Sequence, residues 1–264
     1  MTLTVRLADP ALDYPGIAEL LSQKSNEPIT VAELRDEDIP RVAGKILKRW
    51  VAMDTENQLS GYGMVVKYPS EPADLFHLVN LVNPARCGQG IDSQLLAVLL
   101  NFIREHPAAG RVMTEIRADD KAALGFANKH GFTVDHHVFD SRLEVATFDE
   151  QRFTGVLERV QQTGIQFTTL AELGNTEAAQ RQVYELNRMA VFDEPASTGT
   201  FLTYENWRRL ILEADWYRPV SQFLALAGEK FVGLAGIYND PGQTDMFAAF
   251  AGVEREYRGQ GIAT

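Results

Sequence analysis

The sequence predicts an α+β fold in two tandem copies, each a mixed, mostly antiparallel sheet flanked by helices, with the second copy incomplete. Three observations predict this. A pattern recurs at long range, both halves show the same order of strand, two helices and three strands, and 264 residues at 45% hydrophobic content suit two ordinary cores. The repeat is seen by comparing "FHLVNLVNPARCGQGIDSQLL" with the C-terminal "MFAAFAGVEREYRGQGIAT". Phe76 and Phe247, Val82 and Val253, Gly88 and Gly259, Gln89 and Gln260, Gly90 and Gly261, and Ile91 and Ile262 are each 171 positions apart.

In the first copy "LTVRL" is a short β-branched run, and "ALDYPGIAELLSQ" and "ITVAELRDE" have helical character. "ILKRWVAM" and "LSGYGMVVKY" read as strands joined by the polar turn "DTENQ", and "LFHLVNLV" as a third long strand. After Gly90, Ile91, Leu95, Val98, Leu99, Phe102 and Ile103 fall at helical spacing up to "HPAAG". Strand "RVMTEIR", helix "KAALGFANKHG" and strands "FTVDHHVF" and "SRLEVATF" complete the copy. His136 and His137 are adjacent on one of these strands, so they face opposite sides and cannot chelate one metal together.

Thr147 and Glu150 have capping-box spacing and predict a linker helix over 148–164, stopped by Gly164. The domains are therefore expected at 1–147 and 165–264. The second copy repeats the order with "IQFTTL", "TEAAQRQVYELNRMA", "TYENWRRLILEAD", "VSQFLALA", "KFVGLAGIY" and "MFAAFAGV". The first copy continues for 57 residues past its second motif glycine before the linker, and three follow Gly261, so the second copy is expected to be cut within its loop.

Charge limits the partners. Lys and Arg number 25 against 36 Asp and Glu, a net charge of −11, without the basic surface that binding a nucleic-acid backbone needs. Cys87 is the single cysteine, which rules out an intrachain disulfide and a thiolate metal cluster. The start lacks a basic region followed by an apolar one, and no apolar run reaches membrane-span length. A soluble cytoplasmic protein is expected, monomer or homodimer, with no metal, nucleic acid or membrane partner.

With strand, "RGQGIA" loop and expected helix in order, the chain resembles the GNAT superfamily of acyl-CoA N-acyltransferases. The family motif is Arg or Gln, two residues, Gly, one residue, then Gly or Ala, and Arg258, Gly261 and Ala263 fill it. Small residues let a pyrophosphate approach the backbone, and amides at a helix start supply donors. "NKHGF" at 128–132 matches the family's late Gly-Phe signature, and the second half resembles the tandem two-domain members, the group that includes mycothiol synthase. The resemblance implies an acetyl-CoA-dependent N-acetyltransferase acting on a small-molecule or peptide amine. It places acetyl-CoA, as acyl donor, against Ala251, Gly252, Val253, Arg258, Gly259, Gln260, Gly261, Ile262 and Ala263.

The first copy departs from the motif: Cys87 stands where Arg or Gln is wanted, Asp92 where Gly or Ala is wanted, and Ala127 where the family usually has its general-acid Tyr. Asp92 would repel a pyrophosphate at the helix start. The active site is therefore expected in the second copy, with the 264-residue chain alone inactive or weakly active; the alternative is a non-catalytic acyl-CoA sensor or interaction module. Catalytic candidates are Asp193 and Glu194, which also suit a solvated turn in "FDEP", and Asp245, which also suits the residue after the turn "NDPGQ". Tyr204, Trp207 and Trp216 suit core packing or an acceptor pocket.

Overall fold

The computed structural model describes residues 3–25, 28–194, 197–239 and 245–264. Contacts divide the chain into two units, Met1–Thr133 and Val134–Thr264. The first contains β1 (Thr4–Leu7), α1 (Tyr14–Ser22), α2 (Val31–Asp38), β2 (Ile46–Met53), β3 (Leu59–Lys67), β4 (Leu75–Val82), α3 (Ile91–Arg104), β5 (Arg111–Met113) and α4 (Lys121–Lys129). Its sheet has the order β1-β2-β3-β4-β5, antiparallel except for the parallel pair β4 and β5.

The period-two pattern of β2 sorts its side chains between two cores. Trp50 and Ala52 pack with Leu95, Leu99 and Ile103 of α3, while Val51 and Met53 pack with Tyr14 and Ile17 of α1 and Leu34 of α2. Thr30 and Glu33 close a capping box on α2. Behind it, buried Arg49 donates to Asp38 at 2.6 Å and also to Glu37, and Tyr14 donates to Asp38, tying α1, α2 and β2 together. α3 lies close on the sheet because β3 has glycines there: a Cβ on Gly61 would stand 2.8 Å from Leu95, and one on Gly63 3.0 Å from Leu99.

The second unit contains α5 (Val156–Gln162), β6 (Ile165–Thr169), α6 (Glu177–Phe192), α7 (Tyr204–Trp207), β7 (Gln222–Ala227), β8 (Lys230–Tyr238) and β9 (Phe247–Val253). Its sheet is antiparallel throughout in the order β6-β7-β8-β9. Alternation again makes two cores. Leu224, Leu226 and Leu234 face Val183, Leu186, Tyr204 and Trp207, while Ala225 and Val232 face Val160 and Ile165.

Several expected elements differ. No strand forms over 132–139 or 141–148; His136 and His137 lie on exposed irregular chain, and Val138 and Phe139 are exposed. Alternating apolar residues are not sufficient for a strand, because its amides also need a ladder partner. The strand at "RVMTEIR" is limited to Arg111–Met113. Thr147 and Glu150 make no capping box: Thr147 bonds back to Glu144, Asp149 accepts from Gln151 N–H, and the helix starts only at Val156 after left-handed Gly155. It does stop at Gly164, whose φ is +88°. The helix expected at "TYENWRRLILEAD" is α-helical for four residues and then becomes a π turn over Arg208–Leu212. Most of the turn "NDPGQ", residues 240–243, lies outside the described residues.

Leu99 is fully buried between α3 and the Gly63 surface. Leu99→Ala is expected to lower the stability of the first unit by about 2–5 kcal/mol, read as a shift of its urea unfolding midpoint.

Candidate functional site

An antiparallel strand bonds its neighbour through alternate residues only, and the others point their N–H and C=O the opposite way. Glu254 N–H donates to Val232 O at 2.8 Å, which fixes the phase on β9: Gly252 pairs inward with Leu234, and the backbone groups of Ala251 and Val253 face away from β8. No strand pairs that side of β9 among the described residues. In the first unit Asn83 N–H donates to Ser60 O at 3.0 Å, so Asn80 and Val82 face away from β3. There β5 pairs only with Leu75, Phe76 and His77, leaving the rest of β4 without a strand partner on that side among the described residues.

Each strand is followed by a 3-10 turn, Pro84–Arg86 or Arg255–Tyr257, and then by two left-handed glycines. The φ values are +78° and +76° at Gly88 and Gly90, and +76° and +84° at Gly259 and Gly261. Side chains strain that conformation. A Cβ at Gly88, Gly90 or Gly259 would meet nothing within 4 Å, so these loops also present open backbone. Ile91 and Ile262 anchor the loops by packing on Gly61 of β3 and Gly233 of β8, with separations of 3.0 and 3.1 Å to the Cβ each glycine lacks.

The loops differ in charge. In the first, Asp92 accepts from Ser93 N–H at 2.7 Å, so a carboxylate already occupies the opening turn of α3, and the Asp92 carbonyl accepts from Asn80 at 2.9 Å. Cys87 is exposed and Ala127 is buried in α4. In the second, Arg258 Nε donates to the Val253 carbonyl at 2.8 Å. Asp193, just past the end of α6, accepts from both Arg258 and Arg255. Those two guanidiniums hold the Asp193 carboxyl down to about 2. Gln260 donates to the Glu256 carbonyl at 3.3 Å, Ile262 is half-buried, and Ala263 is exposed.

A cavity of about 500 Å³ lies beside this strand, walled by α6, α7 with its π turn, β7, β8, and Ala248, Ala249 and Phe250 of β9. Glu194 lines it, as do Trp207 and Trp216; Asp193 and Asp245 do not. Tyr204 is buried in the core. Trp207 Nε1 donates to Asn187 at 2.9 Å, fixing the indole against α6. Gln222 fits because it faces Gly236, whose missing Cβ would stand 2.6 Å from its Oε1. The sequence reading missed Asn187, Tyr217, Gln222 and Tyr238 of this wall, because they come from four separate segments with no common spacing. Among the described residues no group of three or more His, Cys, Asp or Glu could hold a metal, and no helix is long and apolar enough to cross a membrane.

Comparison with known proteins agrees with this geometry. Residues 16–132 match the family model "Acetyltransferase (GNAT) family". A GCN5-related N-acetyltransferase from Sphaerobacter thermophilus is similar at 20% identity and a TM-score of 0.66, over 99% of this chain and 79% of that one. The GCN5-related glucosamine N-acetyltransferase region of a fungal multi-domain β-N-acetylglucosaminidase is similar at 14% identity and a TM-score of 0.68, over 99% of this chain and 33% of that one. A search of curated proteins finds no significant match. The family match lies within the first unit, and along the whole chain the fold is shared with both structures.

The Asp193 pairing has a pH signature. Its carboxyl is held at about 2 against an ordinary 3.8, so the pairing stabilises the fold fully above pH ~4 and is lost as pH falls through about 2. Thermal melts between pH 5 and 2 are expected to converge for the native chain and Asp193→Asn at the acid end and to separate above pH ~4.

Proposed function

We propose that the protein is an acetyl-CoA-dependent N-acetyltransferase acting on an amine, with its active site in the second of two tandem GNAT-type copies. One observation carries this reading: the outward amides of Ala251 and Val253, the left-handed Gly259 and Gly261, and Arg258 lie consecutively along one edge, beside a cavity able to take an acceptor. The duplication is supported by the two 3-10 turns, which are 171 positions apart, and by a register shift at the same place in the second strand pair of each sheet, Ala52/Met53 and Ala225/Leu226. Domains at 1–147 and 165–264 joined by a linker follow from the same repeat.

In this reading acetyl-CoA supplies a thioester as acyl donor. The amides of Ala251 and Val253 face the position where charge develops on the acyl oxygen. Gly259, Gln260, Gly261, Ile262 and Ala263 offer backbone N–H groups to the pyrophosphate, and Arg258 offers a charge that must first exchange its bond to Asp193. The cavity holds the amine for direct attack; an amide bond forms, the C–S bond breaks, and the proton lost by the amine ends on the thiolate. Asp193 is committed to two arginines, which makes it a positioning residue for Arg258. In the equivalent loop of the first unit Asp92 puts a carboxylate at the start of α3, where it opposes a pyrophosphate.

Thiol release from acetyl-CoA across an amine panel tests the activity; binding of acetyl-CoA without release from any amine would favour the sensor. Calorimetry locates the site. Arg258→Ala is expected to weaken acetyl-CoA binding about tenfold to a hundredfold, the loss of one charge-assisted hydrogen bond of ~1.5–3 kcal/mol, while Asp92→Ala leaves it unchanged. The reverse pattern would move the site to the first unit.

A further inference from the structure

We infer that the cavity of the second unit selects a monoamine carried on an aromatic body, an arylalkylamine in chemical terms. The inference rests on the acyltransfer reading and adds the acceptor class to it. Three properties of the wall lead to it.

The first is the kind of surface. Trp207, Trp216, Tyr217, Tyr238 and Phe250 all line a space of about 500 Å³, which is the size of a small-molecule site. Trp216 and Tyr238 lie 4.9 Å apart between ring centroids in a tilted arrangement, and Trp207 is fixed by its bond to Asn187. Aromatic walls held in this way favour a flat apolar guest, because offset or edge-on ring contacts add to area burial. A sugar amine would leave several hydroxyls facing indole and phenyl surface without partners.

The second is charge. Among the described residues the lining contains one carboxylate, Glu194, and no Lys, Arg or His. Glu194 is exposed and has no ion pair among the described residues, whereas its neighbour Asp193 is held by two arginines. One free carboxylate matches one ammonium; a polyamine would bring charges that the wall does not balance. Cation–π contact with the Trp rings adds to the preference for a cation over its neutral isostere.

The third is an unsatisfied polar atom. Tyr217 is 6% exposed and lines the cavity, and its hydroxyl is buried without a hydrogen-bond partner. Burial pushes the pKa of this phenol up, so the hydroxyl stays protonated. A buried hydroxyl without a partner costs free energy. Gln222, equally buried, lines the same space. The wall thus has one carboxylate, the polar Asn187 held by Trp207, and two buried polar side chains among apolar and aromatic residues.

The test is isothermal calorimetry on the 264-residue chain without acetyl-CoA, with phenethylamine, phenethyl alcohol, glucosamine and spermidine as probes. Phenethylamine is expected to bind tightest, about fivefold to tenfold tighter than its alcohol. Glu194→Gln, an exposed change that leaves the core intact, is expected to bring the amine down to the alcohol and leave the alcohol unchanged. Trp216→Leu is expected to weaken both about tenfold, and Tyr217→Phe to separate loss of the hydroxyl from loss of packing. Tighter binding of glucosamine or spermidine, equal binding of amine and alcohol, or an unchanged amine affinity in Glu194→Gln would overturn the inference. Thiol release with glucosamine but not phenethylamine would overturn it while upholding acyl transfer. Binding of both phenethylamine and acetyl-CoA with no release from any amine would uphold the ligand class and favour the acyl-CoA sensor over acyl transfer.

Discussion

The alternation of hydrogen bonds along an antiparallel strand governs the rest of this structure. A strand paired on one side satisfies every second residue and leaves the backbone groups between them facing outward. In most folds such an edge is a hazard that is covered or charged. Here β9 has no partner on that side among the described residues, and β5 covers only the first three residues of β4. The open amides at Ala251 and Val253 follow directly from the register fixed by Glu254 and Val232. The glycine loop, the arginine and the cavity are all placed relative to them.

The two units use one construction to different ends. In each, a bulky isoleucine after the second loop glycine seats against a glycine in the neighbouring strand, which holds the loop to the sheet while its own glycines remain open. The electrostatics diverge. The first unit places a carboxylate on the helix start after its loop, and the second places two guanidiniums at the 3-10 turn before its loop and balances them with Asp193. A carboxylate at a helix start stabilises the helix without a ligand, whereas paired guanidiniums can exchange one anion for another.

The sequence was legible where local physics decides the outcome. Apolar runs bounded by turns identified β2, β3, β4, β7, β8 and β9, and helical spacing of apolar residues identified α3, whose buried face it specifies. The glycine loops were legible because left-handed backbone demands that residue. Failures came where a partner decides. The apolar alternation over 132–148 resembled strands, but no backbone ladder forms there. Thr147 and Glu150 had the right spacing, yet the helix begins nine residues after Thr147. The cavity wall was the least legible part, since Asn187, Tyr217 and Gln222 meet only through tertiary packing.

Helix α6 and strand β9 approach closely at Ala190 and Gly252. A Cβ on Gly252 would stand 2.6 Å from the Cβ of Ala190. Three residues beyond Ala190 the chain reaches Asp193, and three beyond Gly252 it reaches Arg255. The two smallest side chains therefore act as a gauge block: they set the gap between helix and strand, and that gap sets whether the short Asp193 side chain can span it. A methyl group or two added at this contact would change electrostatics one helical turn away without touching a charge.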